Sequence, residues 1–379
     1  MTRRPYLDFY GKHSISPVAN DVNRVTHFAQ RSALYHRLGI LAGSIRGRKV
    51  LEFGPGNGAN ALYTISLEPD LYVLVDANPS GVENCEKNLN HFHPGKNWRV
   101  VDSLIEEYKT ENKFDLVICE GLLPNQVNPA EMARQCASFV DKGGLFVLTC
   151  HDVISTVSET LRCLPGSLSI KEIDDFDEKV VKLARLFEPH LAHLKGMTRT
   201  NEEWVIDNIL NAEFWKNAPL FSIDEAIEAL DEDFIVNTTS PSFLQDWSWY
   251  KSVGNVKSYF KAVMKEAYWE NVHSFIDWRI VSPPGCESDS QALYKLCGTI
   301  RDRVREAAED DAAIGALIES CQRLFHALPE EYAITKVALE SYIEGMGYYL
   351  NSGEIRSEKF LDFGAWWGRG MQYVSFIKE

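Results

Sequence analysis

A glycine-rich turn between a predicted strand and a predicted helix is the segment whose residue types most clearly indicate ligand binding. The run reads Val50-Leu51-Glu52-Phe53-Gly54-Pro55-Gly56-Asn57-Gly58-Ala59-Asn60. Glycines let the backbone approach a ligand closely, and the start of a helix offers free N–H groups. Gly54, Gly56 and Ala59 also fit a dinucleotide-binding pattern, so the turn alone does not decide the cofactor.

Acidic residues at the ends of successive predicted strands narrow the choice of cofactor. Glu52 stands two residues before Gly54, where a dinucleotide fold usually carries an apolar residue. Asp76 ends the second strand, where a carboxylate can accept both hydroxyls of a ribose. Asp102 follows the third strand and can accept from an adenine amino group. Glu120 ends the fourth. The pattern favours a cofactor that contains adenosine.

The elements that position these residues alternate between short β-rich runs and helical stretches, which predicts a parallel sheet with crossover helices. The strand runs are apolar on both parities, as in strands covered on both faces. The predicted strands are Lys49–Phe53, Leu71–Val75, Trp98–Val101, Phe114–Cys119 and Gly144–Thr149. The predicted helices between them are Asn60–Ser66, Gly81–Phe92 and Pro129–Val140.

Residues 48–150 resemble the class I S-adenosylmethionine-dependent methyltransferases. The resemblance rests on the glycine motif, on Asp76 and on the Lys142-Gly143-Gly144 turn before the fifth strand. It implies that the loop holds the methionine part of S-adenosylmethionine, that Asp76 holds the ribose, and that Asp102 and Ser103 lie beside adenine. A nicotinamide enzyme is the minority alternative. The expected cofactor contacts are Glu52, Gly54, Pro55, Gly56, Asn57, Gly58, Asp76, Ala77, Asn78, Asp102, Ser103, Glu120 and Gly121.

Two late strand-like runs, near 233–239 and 372–378, predict a Rossmann-like α/β sheet of seven strands, the seventh antiparallel as in the family. The helical stretches then become insertions that form a cap. Ser222–Leu230 reads as a core helix opened by a capping box. The expected segments are a helical cover at 1–47, the cofactor-binding core at 48–151, an insertion at 152–220, a core helix and sixth strand at 221–240, a cap insertion at 241–368 and a final strand at 369–379.

Methyl transfer from a sulfonium is an in-line displacement, so alignment matters more than any universal catalytic residue. A general base is needed only for a poor nucleophile. The candidates are His13, His151 and Glu120, and Glu120 can instead contact the cofactor. The segment Glu120-Gly121-Leu122-Leu123-Pro124-Asn125 lacks the Asn/Asp-Pro-Pro-Tyr motif of many amino-group methyltransferases, which counts against methylation of nucleobase amines by that route.

Aromatic and charged residues outside the core are candidates for binding the methyl acceptor. The segment after the sixth strand is rich in tryptophan and should emerge on the ligand side of the sheet. An arginine before the final strand can receive a carboxylate or phosphate. Packing and structural ion pairs are the alternatives. The acceptor-site candidates are Tyr10, Asp246, Trp249, Tyr250 and Arg369.

Composition limits the partners. The net charge of −15 argues against a protein whose main function is to bind the phosphate backbone of nucleic acids. Residues 1–10 do not read as a secretory signal, no apolar run suggests a membrane span, and none of the eight cysteines forms a C-x-x-C pair. We expect a cytoplasmic enzyme with no metal site. We expect its acceptor to be a small molecule: a natural-product intermediate, a sugar or a lipid-linked metabolite.

Three alternatives stay open at this stage. One is a methyltransferase acting on a protein or RNA, with the helical insertions as a docking surface. Another is a protein that binds the cofactor without turnover. The nicotinamide enzyme is the third. The identity of the acceptor, the atom methylated and the oligomeric state are not fixed by the sequence.

Overall fold

The computed structural model describes residues 5–13, 24–95, 97–194, 196–197, 199–230 and 233–379, and the side chains of 5–8, 125 and 213–214 are outside the description. The chain divides into two compact units. The first unit comprises 1–151, 218–268 and 371–379, and the second comprises 152–217 and 269–370. Two separated stretches of chain therefore build the second unit.

The first unit is built on one seven-stranded sheet of order β3-β2-β1-β4-β5-β7-β6. Strands β1 to β5 pair in parallel, and β7 runs antiparallel between β5 and β6. This confirms the predicted α/β fold, including the direction of the last strand. The strands are β1 Lys49–Phe53, β2 Leu71–Asp76, β3 Trp98–Asp102, β4 Phe114–Cys119, β5 Val140–Cys150, β6 Phe234–Ser240 and β7 Gln372–Lys378.

Fifteen α-helices are found in the described residues, with 3-10 turns and one π-helical segment between them. They are α1 Pro5–His13, α2 Arg24–Arg37, α3 Ala59–Ser66, α4 Pro79–Phe92, α5 Pro129–Ala137, α6 Val157–Ser169, α7 Phe176–Leu191, α8 Asn201–Val205, α9 Ala212–Lys216, α10 Ile223–Ala229, α11 Val256–Asn271, α12 Glu287–Glu309, α13 Ile314–Ala327, α14 Ala333–Ser352 and α15 Leu361–Gly364.

The element boundaries predicted from the sequence hold within one or two residues at most positions. The helix predicted to reach Val140 is wrong at its end, because α5 ends at Ala137 and Val140 already pairs with Phe114 in the sheet. The predicted capping box of α10 is present, with Ser222 and Glu225 each bonding the backbone N–H of the other. The turn before β5 consists only of Ser138 and Phe139, and β5 starts at Val140, four residues before the predicted start at Gly144.

Both faces of the sheet are buried. On one face, Val50 and Tyr72 pack in a core formed with α2, α3 and α4. On the other, the ring of Phe53 packs 5.9 Å from Tyr108 and 5.7 Å from Phe139, measured between centroids. A parallel sheet needs this double cover because its strands are apolar on both sides.

Residues 241–268 differ from the predicted organisation, since they cluster with the first unit rather than with the second insertion. Lysines along α11 explain part of this. Lys265 lies 2.5 Å from Glu228 and 3.5 Å from Asp224, and Lys257 lies 3.4 Å from Asp233. Lys261 lies between them and 3.6 Å from Glu228, so lysines recur every four residues on one face of α11, toward acids around α10 and β6.

The second unit is helical and is organised around a buried arginine. Arg162 on α6 is fully buried, and its Nη2 donates to the backbone carbonyls of Phe363, Gly364 and Trp366. Its guanidinium also stacks 3.7 Å from the ring centroid of Trp367. One side chain therefore supplies a charged donor to three buried carbonyl groups at and just after the end of α15.

Replacing Arg162 with Met should lower the free energy of unfolding by about 3 kcal/mol, because three buried carbonyls lose a charged donor. Arg185→Met is the matched control, since Arg185 is exposed on α7. Urea unfolding of both variants measures the difference. Equal stability of Arg162→Met and the control would contradict this account of the second unit.

Two further findings concern membrane-spanning helices and the cysteines. None of the helices in the described part of the chain is long and apolar enough to cross a membrane. All eight cysteines are free thiols; seven are buried, as expected, whereas Cys286 is exposed.

Candidate functional site

The order of the strands locates the ligand edge of the first unit. The chain starts at β1 in the middle of the sheet, moves outward to β2 and β3, and then returns to β4 on the other side of β1. The loops after β1 and β4 therefore diverge and leave a crevice at the carboxyl ends of the strands, where ligands bind in open α/β sheets.

The loop after β1 has the conformation that its glycines predict. Gly54, Gly56 and Gly58 have φ angles of 69°, 56° and 79°, in the left-handed region. Gly58 begins α3, and a Cβ on it would lie 2.7 Å from the sulfur of Cys85. The N–H of Gly58 donates to the carbonyl of Pro55 at 2.9 Å. A residue with a side chain at Gly58 would be both strained and crowded.

Asp76 holds this loop from the neighbouring strand. Its Oδ2 accepts from the N–H of Gly56 at 3.0 Å, and its Oδ1 accepts from the N–H of Asn78 at 2.8 Å. Burial raises the pKa of Asp76, while the donors from Asn78, Gly56 and Ala77 lower it. Each oxygen keeps a second lone pair, so the carboxylate can fix the loop and still accept from a ribose.

The remaining predicted contacts near the loop are partly structural. Asn57 accepts from the N–H of Ala59 at 3.0 Å, and its carbonyl accepts from Asn88 at 2.9 Å. Asn78 is buried and caps α4 by accepting from the N–H of Ser80. These bonds fix the shape of the loops on both sides of Asp76.

The third strand brings the predicted adenine contacts beside Asp76. Asp102 is the partner of Asp76 in the register of β2 and β3, and its side chain is exposed. The N–H of Ser103 donates to the carbonyl of Asp76 at 3.0 Å. Asp76, Asp102 and Ser103 thus lie together at the carboxyl ends of β2 and β3.

Glu52 lies beneath the loop rather than in the crevice. Its side chain is buried, and it accepts a hydrogen bond from the hydroxyl of Tyr72. Burial raises the pKa of Glu52 to about 7; the bond from Tyr72 lowers the pKa, and the charge of Glu120 raises it. Direct contact with a ligand, which the sequence predicted, stays a prediction; the observed contact is structural.

Glu120, at the end of β4, is the centre of a polar network that the sequence did not predict. Its Oε1 accepts from Arg31 at 2.9 Å, from Asn60 at 3.2 Å and from the hydroxyl of Tyr373 at 2.6 Å. Burial lowers the pKa of Arg31 and the charge of Glu120 raises it, with a net rise. Burial also raises the pKa of Tyr373 well above its ordinary value.

Helix α2 supplies Arg31 from the predicted helical cover. His27, Arg31 and Tyr35 are spaced four residues apart on one face of α2, and all three are buried. His27 Nε2 donates to the carbonyl of Ala59, and the hydroxyls of Tyr35 and Thr64 lie 2.6 Å apart. This spacing of three polar residues was a signal in the sequence. Tyr373 had no comparable signal, because it is one of several residues in a short alternating strand.

The two histidine candidates have different surroundings. His151 follows β5, and its backbone pairs with that of Phe221. Burial lowers the pKa of His151 to about 4. In α1, His13 packs its ring 5.0 Å from that of Phe9, and burial and Lys12 lower its pKa. Both are therefore neutral near pH 7, and a catalytic role for either stays a prediction.

The acceptor candidates of the first unit are surface groups. Trp249 and Tyr250 are 65% and 74% exposed. Asp246 accepts from the hydroxyl of Tyr259 at 2.9 and 3.0 Å. The ring of Tyr10 packs 5.6 Å from that of Phe9 within α1. None of these contacts by itself forms an acceptor pocket.

Arg369 belongs to the second unit and has a structural role. Its Nη1 donates to the carbonyls of Ser274 and Asp277, and its Nη2 donates to Trp278 and Ile280. The guanidinium is thus directed at the protein's own backbone. This corrects the expectation that it is presented to an acidic acceptor.

Gly121 follows Glu120 in the left-handed conformation, and its N–H donates to the hydroxyl of Thr149.

Comparison with known proteins agrees with this geometry. Residues 45–203 match a family model described as "Methyltransferase domain". The chain carries a methyltransferase domain. The match agrees with the resemblance found in the sequence for this part of the chain.

Individual relatives cover only part of the chain. It is 34% identical over 82 residues to the tRNA1(Val) (adenine(37)-N6)-methyltransferase of Flavobacteriaceae bacterium (strain 3519-10), covering 21% of this chain and 36% of that protein. It is 30% identical over 113 residues to the ubiquinone biosynthesis O-methyltransferase of Bordetella avium, covering 27% and 43%. The chain thus spans less than half the length of these curated relatives.

Among solved structures, the chain is similar to magnesium protoporphyrin IX methyltransferase from Synechocystis with bound S-adenosylhomocysteine. The identity is 15%, the TM-score is 0.36, and the match covers 62% of this chain and 86% of that one.

No group of three or more His, Cys, Asp or Glu side chains suited to a metal ion occurs among the described residues.

The buried Glu52 predicts a pH dependence of stability. Between its ordinary pKa of 4.5 and the raised value of about 7, the folded chain keeps a proton that the unfolded chain releases. The contribution of Glu52 to stability therefore falls as pH rises through this window. The stability of Glu52→Gln relative to wild type should rise by about 2 kcal/mol between about pH 5.5 and pH 8.

Urea unfolding at both pH values measures this difference in stability between Glu52→Gln and wild type. The contributions of other titrating groups cancel in the difference. Glu83→Gln serves as the control, because Glu83 is exposed on α4. A difference in unfolding free energy between Glu52→Gln and wild type that does not change with pH would contradict the proposed environment of this carboxyl.

Proposed function

We propose that this chain transfers a methyl group from S-adenosylmethionine to a small-molecule acceptor by in-line displacement. The observation that carries the proposal is the pairing of the left-handed glycine loop with Asp76 at the switch point of a methyltransferase-type sheet. That loop and carboxylate are matched to an adenosine cofactor, whose ribose presents two hydroxyl donors.

The residues of the crevice fit the parts of this cofactor. Asp76 would hold the ribose, Asp102 and Ser103 would lie beside the adenine, and the Gly54–Gly58 loop would follow the methionine part. Glu120 would accept from the ammonium group of the methionine part through the oxygen that Arg31, Asn60 and Tyr373 leave open. When bound, the cofactor supplies a methyl group already activated by the sulfonium.

Glu120 is better suited to this binding role than to that of a general base. Its Oε1 already accepts three hydrogen bonds, one of them from a buried guanidinium. These donors occupy Oε1, so this oxygen is not available to remove a proton from an acceptor. Catalysis would then depend on alignment, which supplies much of the rate in such displacements.

A small-molecule acceptor is supported by three observations. The segment after β4 lacks the motif of the amino-group methyltransferases, the chain has a net charge of −15, and one relative is named for ubiquinone biosynthesis. A natural-product intermediate, a sugar and a lipid-linked metabolite are the acceptor classes proposed. That the second unit covers the acceptor, and that the protein is cytoplasmic, stay predictions.

An RNA acceptor is the second candidate, because another relative is named as a tRNA methyltransferase. The negative charge of the chain opposes close approach to phosphate backbones. Incubation with radiolabelled S-adenosylmethionine and either total tRNA or a low-molecular-weight extract separates the candidates. Label in the small-molecule fraction alone supports the proposal, and label in tRNA alone would replace it.

Titration calorimetry with S-adenosylhomocysteine tests the cofactor site. The wild type should bind with a Kd in the micromolar range, and Asp76→Ala should bind at least about tenfold more weakly, because the loop and the ribose both lose their acceptor. Asp70→Ala is the matched control, since Asp70 is an exposed acid at the opposite end of β2. NADH should not bind. Tight binding of NADH instead of S-adenosylhomocysteine would turn the assignment toward an oxidoreductase.

A further inference from the structure

The guanidinium of Arg31 reaches the ligand edge of the first unit from helix α2. Its Nη1 lies 2.9 Å from Oε1 of Glu120, and the side-chain amide of Asn60 donates to the same oxygen at 3.2 Å. Glu120 directly follows β4, and Asn60 is the second residue of α3, just after the glycine loop. Arg31 therefore lies where the loops after β1 and β4 diverge, which is the place for a ligand in such a sheet.

Contacts on both sides of Arg31 fix its position on α2. One turn before it, the ring of His27 bonds the carbonyl of Ala59 at 3.2 Å. One turn after it, the hydroxyls of Tyr35 and Thr64 lie 2.6 Å apart. The ring centroid of Tyr35 also lies 5.4 Å from Cζ of Arg31. The guanidinium is thus held in place by the protein itself, so a ligand that binds it has little ordering to impose.

The guanidinium has more donors than Glu120 uses. An arginine side chain carries five N–H groups. The side chain of Arg31 is 8% exposed, and its Nε is buried with no hydrogen-bond acceptor in the described part of the chain. A buried donor without an acceptor is unfavourable, and hydrogen bonds from a guanidinium to a carboxylate are among the strongest in proteins. Arg31 is therefore suited to a second anion in addition to Glu120.

The other charges at this edge are negative. Asp76 ends β2, Asp102 ends β3 and Glu120 follows β4. These carboxylates suit the hydroxyls, the amines and the sulfonium of S-adenosylmethionine, but they repel the carboxylate of its methionine part. That carboxylate and the ammonium are attached to the same carbon, so a residue that binds the ammonium has the carboxylate close by. A cation in contact with Glu120 is what this arrangement needs.

We propose that Arg31 and Glu120 recognise the zwitterionic amino-acid end of the cofactor as a pair, Arg31 binding its carboxylate and Glu120 its ammonium. This rests on the proposed function and deepens it, because it makes the two residues a specificity determinant for ligands that retain the whole amino acid. The pair also explains how two buried charges are tolerated before a ligand binds, since each then neutralises the other.

Titration calorimetry with analogues of S-adenosylhomocysteine tests the proposal on the wild-type protein. Decarboxylated S-adenosylhomocysteine, which lacks only the carboxylate, should bind at least about tenfold more weakly than S-adenosylhomocysteine, because a charge-assisted pair is lost. Deaminated S-adenosylhomocysteine, which lacks only the ammonium, should be weakened similarly. This comparison does not depend on the folding of any variant. Equal affinities for S-adenosylhomocysteine and its decarboxylated analogue would overturn the proposal.

Arg31→Met assigns the preference to its residue. The variant should bind S-adenosylhomocysteine at least about tenfold more weakly than the wild type. It should not lose affinity for the decarboxylated analogue, because that ligand has no carboxylate and Glu120 remains to bind its ammonium. Arg37→Met, an exposed change on the same helix, should match the wild type with both ligands. An equal loss for both ligands in Arg31→Met would show that Arg31 only shapes the site, and would overturn the proposal.

The same titrations separate this proposal from the proposed function. A wild type that binds neither S-adenosylhomocysteine nor its analogues would remove the proposed function, and this assignment with it. A wild type that binds all three ligands with equal affinity would leave the cofactor site in place and remove only the assignment of Arg31 and Glu120.

Discussion

The carboxylate of Glu120 is the constraint on which the candidate site depends. A charge at the end of a buried strand is unfavourable unless its hydrogen bonds are satisfied. Here the donors come from helix α2, helix α3 and strand β7, which are far apart in the sequence. Satisfying this one group therefore joins the start of the chain, the helix after the glycine loop and the last strand at the ligand edge.

A second constraint is the backbone of the glycine loop. Three positive φ angles within five residues let the chain turn sharply out of β1, and Asp76 fixes the turned loop by accepting from Gly56. The carboxylates at the ends of β2 and β4 thus have separate tasks. Asp76 shapes the loop and remains able to accept from a ribose, whereas Glu120 ties the surrounding elements together.

Much of this could be predicted from the sequence, because the signals were local. Short runs that are apolar on both parities located the strands, and the glycines and Asp76 located the loop after β1. Long-range pairing left no such signal: Arg31 and Tyr373 both bond Glu120, although 89 and 253 residues separate them from it. The role of Arg369 could not be predicted for the same reason. The sequence around an arginine before a strand is the same whether the side chain faces a ligand or four backbone carbonyls.

The most direct test of the central role of Glu120 is a double-mutant cycle with Arg31→Met and Glu120→Gln, read by urea unfolding and by titration with S-adenosylhomocysteine. Arg31→Met leaves a largely buried charge without its cation, so it should destabilise the protein by about 3 kcal/mol, and the double variant should recover at least about 1 kcal/mol of that loss. Arg37→Met, an exposed change on the same helix, is the control. Cofactor affinity should fall in both single variants. Additive effects of the two substitutions, with cofactor affinity unchanged in Arg31→Met, would contradict the account.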